Sequence, residues 1–189
     1  MADDQTVPLL DHDLADDEIA WMEAVYEDFA AARADFTDPR EALRHVLAKP
    51  RHALPTPMDL TGPGPWRGGR NRHGRNVTAV FLPRVELHCH ARSRTDQFAM
   101  YVRGEAEAFS LDDAGQPVLT PVRGGAHFHN APDAPHAFLP KAGQPVPEDW
   151  EIAFIAITPR NLKEDTQSVS PVVKAAYTRA TGREAPAYV

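Results

Sequence analysis

Apolar positions change their period twice along this chain. Between Leu14 and Phe36, the residues Ile19, Met22, Tyr26, Phe29 and Phe36 recur at helical spacing. Asp and Glu crowd the first turns, where the helix dipole favours them. The pattern predicts an amphipathic helix that covers the rest of the fold. A second helix is signalled at Asp38-Pro39-Arg40-Glu41, with Asp38 as cap, Pro39 at the first helical position and Glu41 completing a capping box; it should stop near Lys49-Pro50. The stretch from Pro55 to Asn76, with its run GPGPWRGGRNRHGRN, fits neither regular period and reads as a long loop. After it the period becomes two. VTAVFL, RVELHCH, QFAMYVRG, EAEAFSL, PVLTPV, HAFLP and EIAFIAIT read as short strands, with DDAG as a turn between two of them. Short strands with no helix between them predict an all-β core, an antiparallel sandwich or barrel. A last helix is capped by Ser170, opened by Pro171 and closed by Gly182. The expected organisation is a helical extension over 1–54, a loop over 55–76, a β-barrel over 77–160 and a C-terminal segment over 161–189.

Composition narrows the partners. No apolar run is long enough to span a bilayer, and the opening MADDQTVPLLDHDLADDE has neither the basic start nor the apolar stretch of a targeting segment, so the expected location is cytoplasmic. A net charge of -7 argues against a nucleic-acid partner. The charge is uneven: 12 acids and one Arg precede Pro39, whereas 11 bases and three acids lie from Pro39 to Thr95. Segments of opposite sign can pack on each other, within or between subunits. The single cysteine, Cys89, excludes an internal disulfide and a thiolate-based zinc cage, so any metal must take histidine or oxygen ligands.

The histidines are the informative chemistry. His88 and His90 stand two apart on an expected strand, so both rings leave one face together with Arg84 and Glu86, while Val85, Leu87 and Cys89 take the other. A polar face turned inward needs a reason, and a metal pocket supplies one. GGAHFHNAPDAPHAF adds His127, His129 and His136 in a strand-turn-strand stretch, where the turn at Ala131-Pro132-Asp133 aims His136 back from the start of the next strand. For His127 and His129 three readings stand: a place in the metal shell, an acid or base in the pocket, or a position at the surface. If no bulge intervenes, Ala99, Tyr101 and Arg103 share the face of Gln97. The arginine cluster Arg67, Arg70, Arg72 and Arg75, with His73, reads better as a solvated loop against the acidic first helix than as a lid.

At these residues the chain resembles the cupin superfamily. The first cupin motif, G-x5-H-x-H-x(3 or 4)-E-x6-G, is matched by His88, His90 and Gly104, with Leu82 at the leading Gly, a longer gap after His90, and Gln97 where the family has Glu. The second, G-x5-P-x-G-x2-H-x3-N, is matched in spacing by Gly125, Ala131, Asp133, His136 and Pro140. Asp133 is a fair substitute for Gly because Asp tolerates the left-handed conformation. The resemblance spans about Val77 to Thr158. It implies a cupin-type antiparallel barrel of jelly-roll form, with His88, His90 and His136 as metal ligands and Gln97 at the fourth position.

A neutral amide at Gln97 neither lowers the charge of a divalent site nor serves as a base. The site is then in effect three neutral imidazoles that keep the full +2 charge and leave open positions, which favours an anionic substrate bound directly to the ion. Fe(II) is the first choice of metal, with Ni, Mn, Zn or Cu as alternatives. Within cupins such sites resemble those of iron dioxygenases, so the resemblance implies an oxidoreductase acting on a small organic acid or related metabolite. The alternative is lyase or isomerase chemistry on the same metal as a Lewis acid, with Tyr101, Glu86 or His129 as the base. A ligand-binding protein without catalysis is the third reading. Tyr101 and His129 are the candidate acid-base groups, and Arg84, Glu86 and Arg103 the candidate substrate contacts. Since cupins are often dimers and exposed strand edges favour self-association, a homodimer is expected.

Overall fold

The computed structural model describes residues 13–83, 87–159 and 165–186. Three helices and ten strands run in the order α1 (Asp16–Ala32), α2 (Pro39–Leu47), β1 (Trp66–Arg70), β2 (Asn76–Leu82), β3 (Cys89–His90), β4 (Thr95–Arg103), β5 (Ala106–Leu111), β6 (Pro117–Val122), β7 (His127–Asn130), β8 (Ala137–Pro140), β9 (Glu151–Thr158), β10 (Thr166–Gln167) and α3 (Pro171–Thr181). Every pairing is antiparallel. One sheet runs β1-β2-β9-β4-β7 and a second β6-β5-β8. The second continues through a bridge between His88 and His136 into the pair β3-β10. The all-β core with helices before and after it is the architecture the strand periodicity predicts.

Alternation along the strands sorts the apolar residues into three layers. On one face of the large sheet, Val77, Phe81, Phe98, Met100, Ile155 and Ile157 pack against Met22, Val25 and Phe29 of α1 and Leu43 and Val46 of α2. Its other face meets the smaller sheet through Ala99, Ile152 and Phe154 against Ala106, Ala108 and Phe138. Behind the smaller sheet, Phe109, Leu139, Leu87 and Cys89 pack on Tyr177 of α3. The order is therefore helices, sheet, sheet, helix. No helix among the described residues is long and apolar enough to cross a membrane.

Caps fall where expected, with one exchange of roles. Asp38 accepts from Arg40 N at 3.0 Å and Ser170 accepts from Val173 N at 3.4 Å, while Gly182 closes α3 in the left-handed region at φ 68°. Glu41, expected to reach back to the cap, turns instead to Arg44 at 2.6 Å. The glutamate that does reach back is Glu18, which accepts from Ala15 N at 2.8 Å. Arg75 Nη1 meets Glu18 at 3.0 Å and Arg72 Nε meets Asp17 at 2.6 Å. Arg72 and Arg75 thus lie against the acidic first helix.

The Pro55–Asn76 stretch is not all loop. It contains β1, an edge strand joined to β2 by a turn in which Asn71 Oδ1 accepts from both His73 N and Arg75 N at 3.0 Å. Its register shifts between Trp66 and Gly69, and Gly68 there has φ +83°. A Cβ on Gly69 would sit 2.5 Å from Met58 Cγ and 2.9 Å from Leu54 Cδ1. The glycines that erase period two from the sequence are those that let a bulged edge strand lie close to the chain beside it.

Candidate metal centre

His88 and His136 face each other across the bridge that joins β8 to the β3 segment. Their main chains exchange both hydrogen bonds, His88 N to His136 O at 3.1 Å and His136 N to His88 O at 2.9 Å. Directly opposed residues of such a pair project from the same side of the sheet. His90 follows two positions later and takes the same side, while Leu87 and Cys89 turn to the α3 layer. Phe138, two positions beyond His136, packs on Phe154 between the sheets, which fixes the histidine side as the inner one. The three ring centroids stand 4.4, 4.8 and 5.2 Å apart, and one ring nitrogen from each residue falls within 4.8 Å of the other two. This is the one such group of histidine, cysteine and carboxylate side chains among the described residues.

Local geometry aims two of the rings. In His136, Nδ1 lies 3.0 Å from Ala134 O; a carbonyl only accepts, so Nδ1 carries the proton and Nε2 presents its lone pair. In His90, Nδ1 lies 3.3 Å from Thr166 Oγ1. The Nε2 atoms of both residues are buried and make no hydrogen bond. Buried polar atoms without a partner are rare and costly, and two of them in a group whose ligand atoms lie within 4.8 Å of one another could take a cation. Burial, helped by neighbouring His88, pushes the His90 imidazole down to about 4. Burial and His88 push His136 down to about 3. Both are neutral at physiological pH, the state a metal ligand needs.

The turn that delivers His136 is built as the sequence indicates. Asp133 adopts φ 59°, and its N–H donates to His90 O at 2.7 Å, tying the turn to the strand that bears two of the histidines. Both oxygens of the buried Asp165 accept from Arg92 N at 3.1 Å, and Asp165 O accepts from Ala91 N at 3.1 Å, which fixes the chain just after His90. Asp165 and Thr166 are supporting residues that the sequence reading missed. Nothing local marks them, because they lie some 75 residues from the partners they hold.

Gln97 also lies on the inner side, paired with Phe128 and Ala156. Its Oε1 accepts from Asn130 Nδ2 at 3.1 Å, and Asn130 also reaches Thr95 Oγ1 at 3.3 Å. Asn130 ends β7, and a turn of five residues carries the chain across to His136 in the other sheet. The amide pair therefore sits at the same end of the sandwich as the three histidines, with the Gln97 oxygen engaged by Asn130.

Three expectations are corrected. A bulge in β4 between Ala99 and Tyr101 reverses the alternation, so Tyr101 does not share the face of Gln97. It is buried beneath the helices, stacked on Phe29 with centroids 5.9 Å apart, and its hydroxyl donates to Glu151 Oε1 at 2.6 Å. Arg103 follows it, pairing with Asp38 at the start of α2 at 2.8 Å. His129 and His127 point outward from the edge strand β7, where Nδ1 and Nε2 lie 3.2 and 3.0 Å from one oxygen of the buried Asp96. Burial raises the Asp96 carboxyl, but hydrogen bonds from His127 and His129 outweigh it and hold the group below its ordinary range. Arg84 and Glu86 lie outside the described residues.

No match to a protein-family profile or to a curated protein was found. Among solved structures, the chain is similar to Peruvianin-I, a cysteine peptidase from Thevetia peruviana latex, at 16% identity over 53% of this chain and 58% of that one, TM-score 0.39. It is similar to oxalate decarboxylase of Bacillus subtilis, described with Mn(II) centres, at 19% identity over 58% of this chain and 29% of that one, TM-score 0.37. A protein with a double-stranded β-helix domain from Klebsiella pneumoniae subsp. pneumoniae matches at 15% identity over 47% and 70%, TM-score 0.35. The match takes in less than two thirds of the length of the first two of these chains.

Proposed function

We propose that the protein is a metal-dependent oxidoreductase that holds Fe(II) on His88, His90 and His136 and acts with O2 on a small organic acid. The observation that carries the reading is the pair of buried Nε2 atoms on His90 and His136, neutral and without hydrogen-bond partners, in a group whose ligand atoms lie within 4.8 Å of one another. A divalent ion there would supply a charged centre for the substrate's acid group and, as iron, electrons for reaction with oxygen.

The chain's own part is to hold and to line. Ala134 O and Thr166 Oγ1 fix the His136 and His90 rings through their Nδ1 atoms. Phe128 meets Phe138 and Phe154 edge-to-face on the inner side, at centroid separations of 5.1 and 6.3 Å, and Phe138 lies tilted on Phe154 at 4.3 Å, giving that side an apolar lining. The amide pair Gln97 and Asn130 supplies neutral hydrogen-bonding groups at the same end of the sandwich. Lyase or isomerase chemistry asks for a protein base beside the ion. Two of the three candidates, Tyr101 and His129, lie on the opposite side of the large sheet. Oxygen chemistry makes no such demand.

The test is elemental analysis of protein purified without a metal-binding tag, alongside His88→Ala and His136→Ala, followed by oxygen-uptake assays with a panel of small carboxylic acids and thiols. Near-stoichiometric iron, lost in both variants, with uptake for one substrate class, is expected. Stoichiometric zinc or manganese without uptake would move the reading to non-redox chemistry. A folded protein that takes up no metal on reconstitution would end it.

A further inference from the structure

A second polar site lies away from the histidines, on the helix side of the large sheet. A cavity of about 320 Å³ opens between the end of α1, the start of α2 and the end of β4, lined among others by Arg33, Thr37, Tyr101, Arg103 and Asp149. The volume lies at the lower end of the range for small-molecule pockets, roughly 300–1,000 Å³. Neither the metal centre nor the aromatic interior contributes to its wall.

Its two guanidinium groups are positioned but not used up. Arg33 spends Nη1 on the carbonyls of Phe36, at 3.1 Å, and Thr37, at 3.5 Å. Arg103 spends Nη2 on Asp38 at 2.8 Å, and its guanidinium carbon lies 5.8 Å from the centre of the Tyr101 ring. Among the described residues, the other nitrogens of both side chains make no hydrogen bond. Arg40 differs: its Nε and Nη2 go to Glu151 and its Nη1 to Pro63 O. Two arginines anchored at one nitrogen each keep donors on a shared cavity, and a guanidinium is suited to pair with a carboxylate. Asp149 on the same wall is the one acid lining the cavity and takes part in no ion pair among the described residues. With Asp38 already on Arg103, the wall presents Arg33, the remaining donors of Arg103 and the carboxylate of Asp149, groups of both signs that fit a ligand with both signs of charge.

We propose that this cavity binds a free α-amino acid, its carboxylate on Arg33 and Arg103 and its ammonium on Asp149. The site is independent of the metal centre, from which the large sheet separates it.

The test is isothermal titration of metal-free protein with L-aspartate and with succinate, which has the same carbon skeleton without the ammonium group. L-Aspartate is expected to bind at least tenfold tighter than succinate. Arg103→Lys, which keeps the charge but not the fork, should weaken L-aspartate at least fivefold. Asp149→Asn should remove most of the preference over succinate. His136→Ala should bind L-aspartate as the unaltered protein does. Amide chemical-shift mapping on unaltered protein should move Thr37, Val102 and Asp149, a readout that needs no substitution. Absence of heat with L-aspartate at millimolar concentration, shifts confined to residues near His136, or equal affinity for both ligands would overturn the proposal.

Discussion

The Tyr101 hydroxyl stands at the branch between a pocket group and a structural one, and the bulge in β4 decides it. With strict alternation Tyr101 would join Gln97 on the inner face. The bulge turns it toward α1, where it donates to Glu151 at 2.6 Å while Glu151 also takes Arg40, whose guanidinium lies 4.3 Å over the Phe81 ring. Tyr101→Phe removes one donor to a buried carboxylate that keeps its cation, so the expected loss is that of a hydrogen bond to a charged group, about 1.5–3 kcal/mol. Glu151→Gln costs more, because it strips Arg40 of its countercharge. Breaking a buried pair costs about 3–5 kcal/mol, and the lower end applies because Arg40 keeps 24% of its side chain exposed. Burial raises the Glu151 carboxyl, but the bonds from Arg40 and Tyr101 outweigh it and hold the group below its usual range, which agrees with a charged acceptor. Urea unfolding followed by circular dichroism should give these losses as shifts of midpoint at constant m-value, with the double variant losing less than the sum of the two. Metal content and oxygen uptake should stay at their unaltered levels in Tyr101→Phe. A Tyr101→Phe protein of full stability that fails in oxygen uptake would refute the reasoning and return Tyr101 to the pocket.

Other outcomes follow from the same packing. Metal at a hundred times its dissociation constant should stabilise the folded protein by about 2.7 kcal/mol, seen as a thermal shift of several degrees that vanishes in His136→Ala. Phe154→Ala, at the centre of the interior cluster, should cost about 3–5 kcal/mol in urea unfolding. Gly125→Ala should cost more than 1 kcal/mol, since φ is +85° and the new Cβ would lie 3.0 Å from Tyr26 Cε1; trimming Tyr26 to leucine should recover only the steric part. Asp28 is held well below the carboxylate range by Arg51, and by His52 at 2.6 Å, against the opposing effect of burial. Its folded value is depressed, so its contribution is complete above the unfolded value near pH 4 and is lost as pH falls further. The stability gap between unaltered protein and Asp28→Asn should accordingly be constant from pH 5 to 7 and close in acid.

What the sequence revealed and what it hid divide along one physical line. Period two gave the strands and placed His88 and His90 on one side with Leu87 and Cys89 on the other, because alternation within a regular strand is a local property. The fit of Asp133 to a glycine position was legible for the same reason, since its φ of 59° is a demand of its own turn. Two of the departures fall where one extra residue enters a strand. The shift in β4 sends Tyr101 and Arg103 to the helix side, and the shift in β1 disguises an edge strand as loop. The bulge in β4 has no marker of its own, since Ala99, Met100 and Tyr101 include neither glycine nor proline.

The same distinction explains why the metal group was easier to read than its surroundings. Its two halves sit on segments with strong local signatures, an alternating His pair and a turn that hands over to a strand. One backbone bridge, His88 to His136, then suffices to bring them together. The groups that orient those rings come from the chain beyond β9, where Asp165 and Thr166 carry no pattern of their own. His127 and His129 had the same spacing as His88 and His90 and belong to the other face of the other sheet. Spacing tells which side chains travel together; only the strand's place in the sandwich tells whether they travel inward. For β7 that place is an edge, where outward histidines find the carboxylate of Asp96. For the His88 segment it is the middle of a sheet closed over by its neighbour, where two buried imidazole nitrogens make no hydrogen bond and could take a cation.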